Sequence, residues 1–347
     1  MQPSTKPLII PVFIPHSGCP HTCAFCNQSI ITNEKHIFPD EKKIKKITDE
    51  YLKFKGKRES VQLAFFGGNF LGLEKPYILK LLSIALKLKQ KSKIDSIRFS
   101  TRPDTISTAS LDLIKDFPVS TIELGVQSMN DKILAFSNRG HTSQCTIEAA
   151  LLLRKYQYKI GMQMMVGLPG EDNSLTLKSA KKIVRLKPDF IRIYPLIVLS
   201  GSLLAQWYKS GRYRPLNLDE CVDLVKDIYL LFTDQNIPVI RMGLQSSEML
   251  QDDSSMIAGP WHPAFGHLVL SEIFFEKAKL EIEKKFKNQP DNNIVTLGVN
   301  PFSESRLRGN KNYNMIRLKQ IFPGLNFKID TNISYSKGHV DIKFSNP

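Results

Sequence analysis

The sequence predicts an α/β protein with a partial parallel (β/α)6 barrel, followed by a small α+β segment. Apolar segments of strand length alternate with amphipathic segments of helix length along most of the chain. Near-continuous apolar strands are typical of a parallel sheet that is covered on both faces. Six strand–helix units precede residue 235, which is too few for a closed eight-fold barrel and suits a partial one.

The predicted strands of the barrel are the short apolar segments that precede each helical pattern. They span residues 8–14, 61–66, 96–100, 121–126, 162–166 and 190–195. In the first helix, a 3.6-residue period predicts a core stripe of Ile44, Ile47, Tyr51 and Phe54. Functional side chains are expected at the carboxyl ends of the strands, where the βα loops converge.

A polar, proline-containing stretch at residues 287–293 divides the chain. Residues 1–286 are predicted to form the barrel with a C-terminal helical extension, and residues 287–347 a small basic α+β domain. Residues 286–347 carry nine lysines or arginines against four acids, and strands are expected at 294–299, 325–329 and 339–344. The last two strands are expected to pair as a hairpin.

The charge balance points to a polyanionic partner. The chain has 48 lysines and arginines against 33 acids, a formal charge of +15, and such an excess favours RNA, DNA or an acidic membrane surface. No apolar run approaches the roughly 18 residues of a spanning helix, and no secretion signal is seen at the start. We therefore expect no membrane partner and a location in the cytosol.

Three of the five cysteines fall within eight residues. Cys19, Cys23 and Cys26 form a C-x3-C-x2-C pattern, with Phe25 directly before the last cysteine. Three thiolates on a tight loop can bind three corners of a cubane iron–sulfur cluster and leave the fourth iron open. A structural zinc site completed by a nearby histidine, His16 or His21, is the alternative. The isolated Cys145 and Cys221 are expected to be small buried hydrophobes.

This loop, placed after the first strand of a βα-repeat chain, resembles that of the radical S-adenosylmethionine (SAM) superfamily. The resemblance implies a 4Fe–4S cluster whose open iron chelates the amino and carboxylate groups of SAM. It also implies reductive cleavage of SAM to methionine and a 5′-deoxyadenosyl radical, which abstracts hydrogen from a substrate. An electron donor such as flavodoxin or ferredoxin is then required.

Further motifs match the superfamily at the expected strand ends. The glycine pair follows the second strand, where a side chain would block the approach of SAM to the backbone. The resemblance implies that these motif residues bind SAM, together with the aromatic residue of the cysteine loop. They are Phe25, Gly67, Gly68, Ser100, Gln127, Arg139 and Gln163.

The sixth unit narrows the resemblance to one branch. Tyr194-Pro195, followed by Gly211-Arg212-Tyr213-Arg214-Pro215, is similar to the catalytic subunit of Elongator. Two features differ from that subunit. The first gap between cysteines is shorter here, and only 62 residues follow Lys285, too few for its acetyltransferase domain. The resemblance implies an enzyme that modifies tRNA or another RNA.

The C-terminal segment resembles the K-homology (KH) RNA-binding fold. A basic turn, Gly309-Asn310-Lys311-Asn312, takes the place of the GxxG turn that clamps nucleic-acid backbone. Asn312 replaces the second glycine, and asparagine tolerates left-handed backbone angles. A basic dimerisation or packing appendage is the alternative for this segment.

Two other functions stay open from the sequence. One is a small-molecule radical enzyme similar to the oxygen-independent coproporphyrinogen oxidases, which share a motif of the kind Glu123–Ser128. The other is a non-catalytic RNA-binding protein with a structural metal site.

Overall fold

The described part of the chain divides into two units. The structure is a computed structural model that describes residues 6–14, 18–27, 38–244, 255–286 and 293–345. His16 and all of the predicted linker except Asn293 lie outside these residues. The first unit comprises Met1–Asn217 and Leu231–Pro260, and the second comprises Leu218–Leu230 and Trp261–Pro347.

The first unit is built on seven parallel strands. In chain order they are β1 (Leu8–Phe13), β2 (Val61–Phe66), β3 (Ser96–Thr101), β4 (Val119–Gln127), β5 (Lys159–Val166), β6 (Phe190–Pro195) and β8 (Val239–Met242). Neighbours along the chain are neighbours in the sheet, in the order β1-β2-β3-β4-β5-β6-β8. The predicted partial parallel barrel is therefore confirmed. The seventh strand was not predicted, because it is only four residues long and Arg241 interrupts its apolar residues.

Helices follow the strands of this unit. They are α1 (Glu41–Leu52), α2 (Lys75–Gln90), α3 (Thr108–Ile114), α4 (Asp131–Phe136), α5 (Ser143–Lys155), α6 (Asn173–Arg185) and α7 (Leu203–Lys209). Helix α8 (Leu218–Asp234) comes next in the chain, and β7 (Val198–Leu199) pairs with β9 (Met256–Ala258) in a separate ribbon. No helix among the described residues is both long and apolar enough to cross a membrane.

Side-chain caps begin several of these helices. Asp40, Asn130, Thr142, Asp172 and Ser202 each accept a hydrogen bond from a main-chain amide of the first turn of their helix. Such caps satisfy donors that the helix itself leaves free. They define where these helices begin.

The predicted core stripe of α1 is wrong in its second half. Ile44 is buried, but Tyr51 is exposed and Phe54 lies beyond the helix with 74% of its surface exposed. Thr48 is buried instead, and its hydroxyl donates to the main-chain oxygen of Ile44 over 2.8 Å. A threonine that satisfies its hydroxyl within the helix can take a core position that a hydropathy pattern does not assign to it.

Besides the first thirteen residues of α8, the second unit contains a three-stranded mixed sheet and three helices. These are α9 (Phe265–Phe286), β10 (Ile294–Val299), α10 (Glu304–Arg308), α11 (Tyr313–Ile321), β11 (Asn326–Thr331) and β12 (Asp341–Ser345). β10 is central, parallel to β11 and antiparallel to β12. The expected hairpin is therefore wrong, since β11 and β12 lie on opposite sides of β10. Both edges of the apolar β10 strand are covered in this way.

Helix α9 shares its core with that sheet. Phe274, Phe275 and Ile282 pack in one cluster with Val295 and Leu297. The sequence places a domain boundary after residue 286, whereas the contacts group the whole helix with the C-terminal unit. Burial of these large apolar side chains, at about 25 cal/mol per Å2, is the physical reason for that grouping.

Candidate functional site

The cysteine loop follows β1 and is tied to loops at the carboxyl ends of other strands. The main-chain amide of Ala24 donates to the carbonyl oxygen of Ser137 over 3.0 Å, and the carbonyl oxygen of Ala24 accepts from the amide of Leu204 over 2.8 Å. The side-chain amide of Asn27 donates to the carbonyl oxygen of Ser200 over 2.6 Å. The loop is thus held in place by hydrogen bonds that do not require its cysteine side chains.

The three cysteines of this loop form no disulfide with a described residue. Cys23 is buried, and Cys19 and Cys26 are partly exposed. The described residues contain no group of three or more histidine, cysteine or acidic side chains arranged to hold a metal ion. The geometry therefore does not gather the three thiols into a ready ligand set, and their role as cluster ligands stays a prediction.

Phe25 has a packing role. It lies against an apolar cluster that includes Leu168, Leu196 and Leu204. The ring therefore anchors the part of the loop between Cys23 and Cys26 to the carboxyl ends of the barrel strands. Its predicted contact with SAM stays a prediction.

The start of the loop is fixed through Asn69. The side-chain amide of Asn69 donates to the carbonyl oxygen of Gly18 over 2.7 Å, and its oxygen accepts from the hydroxyl of Thr101 and the amide of Arg102. Gly18 has a φ of +78°, and a Cβ there would lie 2.6 Å from the carbonyl oxygen of Asn69. Only glycine fits this approach. Asn69 is itself 2% exposed, so its hydrogen bond to Gly18 is shielded from solvent.

The first residue of the glycine pair, Gly67, must be glycine because of its backbone. Gly67 has a φ of +109°, and a Cβ there would lie 2.4 Å from the carbonyl oxygen of Ile14. The end of β2 therefore presses against the chain that leads into the cysteine loop. Gly68 is buried next to it.

Arg139 joins the cysteine loop to β4. Its guanidinium donates to the sulfur of Cys23 over 3.3 Å and to the carbonyl oxygen of Gly125 over 2.6 Å. Arg139 is 6% exposed, and its Nε has no hydrogen-bond partner among the described residues. The guanidinium is therefore positioned at the loop with one donor still to satisfy.

A second arginine supports the first. Arg102 forms a two-pronged ion pair with Asp104, and its Nη2 also donates to the carbonyl oxygen of Arg139. Burial raises the pKa of Cys19, whereas the positive charges of Arg102 and Arg139 oppose this increase. The two guanidiniums thus favour the thiolate form that an iron ligand needs.

The end of β4 is strained at Gln127. Its φ is +65°, the left-handed region that side chains other than glycine seldom adopt. The pairing of β4 with β5 shifts register between Gly125 and Gln127, and the buried Oε1 of Gln127 has no partner within the described structure. Strain and an unsatisfied oxygen at one residue are typical of a binding site.

Ser100 and Gln163 are brought together deeper in the barrel. The amide of Gln163 donates to the hydroxyl of Ser100 over 3.1 Å and to the carboxylate of Glu123 over 3.0 Å. Glu123 is fully buried and also pairs with Arg98 and Arg192. The predicted ribose contacts of Ser100 and Gln163 stay predictions.

The sequence interpretation missed several of these side chains. No role is assigned to Asn69 or Arg102 from the sequence. The polar positions within apolar strands, such as Arg98, Glu123 and Arg192, were not assigned. Their alternation with apolar neighbours is the signal that marks the face of a strand that points into a barrel.

His141 is buried beside the arginines. Burial and the charge of Arg139 lower its pKa to about 4. The imidazole is therefore neutral at physiological pH. The adjacent Gly140 has a φ of +69°, and a Cβ on it would lie 2.0 Å from the ring of His21.

These observations fit the cofactors that the resemblance implies. The loop supplies three cysteine side chains outside any disulfide, the number and kind of ligand that a cubane cluster with one open iron needs. Arg139 and Gln127 offer an unsatisfied donor and an unsatisfied acceptor close to Gly125. The fold and the site together define a partial-barrel protein with a cysteine loop at the carboxyl end of its strands.

Two family models match the chain. The model for the radical SAM superfamily matches residues 13–183, and the model for the radical SAM C-terminal domain matches residues 188–274. The chain belongs to the radical SAM superfamily, as predicted. Enzymes of this superfamily use a 4Fe–4S cluster and SAM, so the predicted enzyme class and cofactors are those of the family.

Relatives support the predicted branch. The chain is 27% identical over 285 residues to a tRNA uridine(34) acetyltransferase of Dehalococcoides mccartyi, covering 70% of this chain and 62% of the relative. It is 30% identical over 222 residues to Elongator complex protein 3 of Saccharomyces cerevisiae, covering 55% of this chain and 40% of the relative. The likeness to the Elongator catalytic subunit is confirmed, over less than two thirds of these relatives' length.

A solved structure shares the fold. Archaeal Elp3 of Methanocaldococcus infernus, with residues 1–46 deleted, superimposes with a TM-score of 0.59 at 21% identity. The match covers 81% of this chain and 64% of that one.

Proposed function

We propose that the chain is a radical SAM enzyme that modifies tRNA or another structured RNA in the cytosol. Cys19, Cys23 and Cys26 would hold a 4Fe–4S cluster, and an electron carrier such as flavodoxin or ferredoxin would reduce it. When bound, the cluster supplies one electron that cleaves SAM and generates the radical used for hydrogen abstraction. The observation that carries the proposal is the contact between Arg139 and Cys23, which places a SAM-binding candidate directly at the cysteine loop.

The residues of the chain would bind and orient SAM in a defined way. A guanidinium pairs well with a carboxylate, because its fork donates two parallel hydrogen bonds. Arg139 has a buried Nε left to donate, while Gly125 and Cys23 fix its other nitrogens. Gln127 would accept from SAM through its buried Oε1, and Gly67 and Gly68 would admit SAM close to the backbone.

RNA as the substrate class is supported by the relatives and by charge. Two relatives are named for tRNA uridine acetylation and for Elongator. In the second unit, Gly309, Lys311 and Asn312 all have positive φ, so the turn between α10 and α11 presents main-chain groups in a tight curve. Arg306, Arg308 and Lys311 would add charge for phosphate contacts there.

Deuterium transfer tests this proposal. The reconstituted, reduced enzyme is supplied with SAM and with tRNA transcribed from deuterated nucleotides. We expect 5′-deoxyadenosine that contains deuterium, because the abstracted atom comes from the RNA. Cleavage of SAM without deuterium transfer from any RNA fraction would support a small-molecule substrate. The absence of SAM cleavage under any condition would contradict the enzyme assignment itself.

A further inference from the structure

The interior of the barrel holds more positive than negative charge. Arg98 on β3 and Arg192 on β6 both pair with Glu123 on β4, at 3.4 Å and 2.8 Å. Glu123 has no exposed surface, and its two oxygens accept from Arg192 and from Gln163. The carboxylate of Glu123 therefore pairs with two guanidiniums, and both of its oxygens already accept hydrogen bonds.

A third arginine adds to this charge. Burial lowers the pKa of Arg241 on β8, and repulsion from Arg192 contributes. Burial also lowers the pKa of Arg98, where repulsion from Arg192 opposes the attraction of Glu123. Burial lowers the pKa of Arg192, but Glu123 and Tyr194 raise it by more, so this guanidinium stays charged. An anion that binds among the three arginines would reduce their mutual repulsion in the low-dielectric interior.

Of the two arginines that pair with Glu123, Arg192 is the one that a ligand can reach. Its side chain is 12% exposed, whereas those of Arg98 and Glu123 are 7% and 0% exposed. Its guanidinium lies 5.6 Å from the ring centre of Phe66 on β2, although three strands separate β2 from β6 in the sheet. The side chain therefore reaches across the interior of the curled sheet to the residue before Gly67.

Arg98 closes the interior of the barrel on the amino-terminal side of Arg192. Its guanidinium lies 5.0 Å from the ring centre of Phe190. A Cβ on Gly161 would lie 2.4 Å from the same ring and 3.0 Å from Glu123, so this layer is tightly packed. An anion that enters from the carboxyl ends of the strands would contact Arg192. The packed layer around Arg98 and Phe190 would stop it from going deeper.

We propose that the barrel interior binds an anionic group of the substrate, a phosphate or a carboxylate, at the guanidinium of Arg192. This inference rests on the proposed function, since the ligand is the substrate of the radical reaction. Glu123 and Gln163 are positioning residues that hold Arg192, and Arg241 adds positive charge. For an RNA substrate the anion is a phosphate beside a nucleotide turned into the barrel. For a small acid it is a carboxylate.

Titrations with simple anions test the site. Inorganic phosphate binding to the full-length, reconstituted protein is followed by 31P line broadening at physiological ionic strength. Arg192→Gln is compared with Arg154→Gln, which removes the same charge from an exposed position on α5. We expect Arg192→Gln to weaken phosphate binding about tenfold or more, because a charge-assisted pair is lost, and Arg154→Gln to leave it unchanged.

Competition identifies the kind of anion. Displacement of phosphate by methyl phosphate but not by propionate favours a nucleic-acid phosphate, and the reverse order favours a small acid. Equal phosphate affinity for a folded Arg192→Gln protein and the parent would overturn the inference. Should Arg192→Gln not fold, because Glu123 loses its partner, Arg241→Gln takes its place with the same expected direction and the same overturning result.

The same preparations separate this inference from the proposed function. Normal SAM cleavage with phosphate binding that does not depend on Arg192 contradicts the anion site alone. Phosphate binding that depends on Arg192 in a protein that never cleaves SAM contradicts the radical function alone.

Discussion

The side chain of Asn69 is hydrogen-bonded to the carbonyl oxygen of Gly18, over 2.7 Å, at the residue that precedes the first cysteine of the loop. The same side chain accepts from Thr101 and Arg102 on the other side. One buried amide thus connects the cysteine loop, the turn after β2 and the end of β3. The position of the loop depends on this residue as well as on the cysteines.

Asn69→Asp should reduce iron loading more than it reduces stability. The aspartate keeps the acceptor for Thr101 and Arg102 but loses the donor to Gly18 and faces its carbonyl oxygen with an anion. We expect less iron per chain after reconstitution and slower SAM cleavage. Asp172→Ala is the control, since it removes the cap of α6, worth about 1 kcal/mol, and does not touch the loop. Equal iron loading in both variants would mean that Asn69 does not help to position the cysteine loop.

Arg139→Ala should weaken SAM binding. The change removes the candidate partner of the SAM carboxylate, a loss of about 1.5–3 kcal/mol for a charge-assisted hydrogen bond. Calorimetry on the reconstituted variant measures this, with Arg154→Ala as a control for the loss of one charge. Unchanged affinity together with unchanged cleavage would restrict Arg139 to holding Cys23 and Gly125 in place.

Glu171 makes stability depend on pH. Burial raises its pKa from 4.5 to about 7, although Ser128 donates to it. Between these values the folded state holds a proton that the unfolded state has lost, so the free energy of unfolding falls as pH rises through this window. Glu171→Gln should stabilise the protein by about 2–3 kcal/mol at pH 8 and change it little at pH 4.

Urea unfolding at the two pH values measures this difference. Glu148→Gln, at an exposed position on α5, is the control. A stabilisation by Glu171→Gln that is the same at both pH values would mean that the carboxyl group is not protonated in the folded state at neutral pH.

RNA binding should depend on the basic turn of the second unit. Point variants are preferable to deletion of residues 287–347, because deletion would expose Phe274 and Phe275 of α9. Replacement of Arg306, Arg308 and Lys311 by glutamine should weaken tRNA binding. It should also lower the salt dependence by about 0.7–0.9 log units per lost phosphate contact.

The control for that experiment removes the same charge from another surface. Lys42, Lys46 and Lys53 are exposed at helix α1 or directly after it. Anisotropy titrations at two salt concentrations compare the two triple variants. If both lose the same affinity, general attraction by the charge of +15 explains binding and the turn is not a clamp.

Much of the barrel could be predicted from the sequence, because its strands are apolar segments whose period and length are local properties. The bounds of β2, β6 and β10 agree with the predicted segments. β8 was missed, since a four-residue edge strand has little local signal. The order of the C-terminal strands was also missed, because strand pairing is a long-range property that the hairpin-like spacing does not determine.

The site was predictable where a motif carries the chemistry and not where side chains meet only after folding. The cysteines could be named from their spacing, and the glycine pair and Arg139 from the resemblance to the radical SAM superfamily. The ion pairs of Glu123 join residues 25 and 69 positions away, so no local pattern contains them. Asn69 acts through a contact 51 residues away in sequence, and its role appears only in the folded chain.

The central claim is that the three thiols hold a cluster with an open iron that binds SAM. Electron paramagnetic resonance of the anaerobically reconstituted and reduced protein, before and after addition of SAM, tests it most directly. We predict about four irons per chain and a cluster signal that shifts when SAM binds, both absent in Cys23→Ala and both retained in Cys145→Ala. A signal that SAM leaves unchanged, or bound zinc without iron, would contradict the claim.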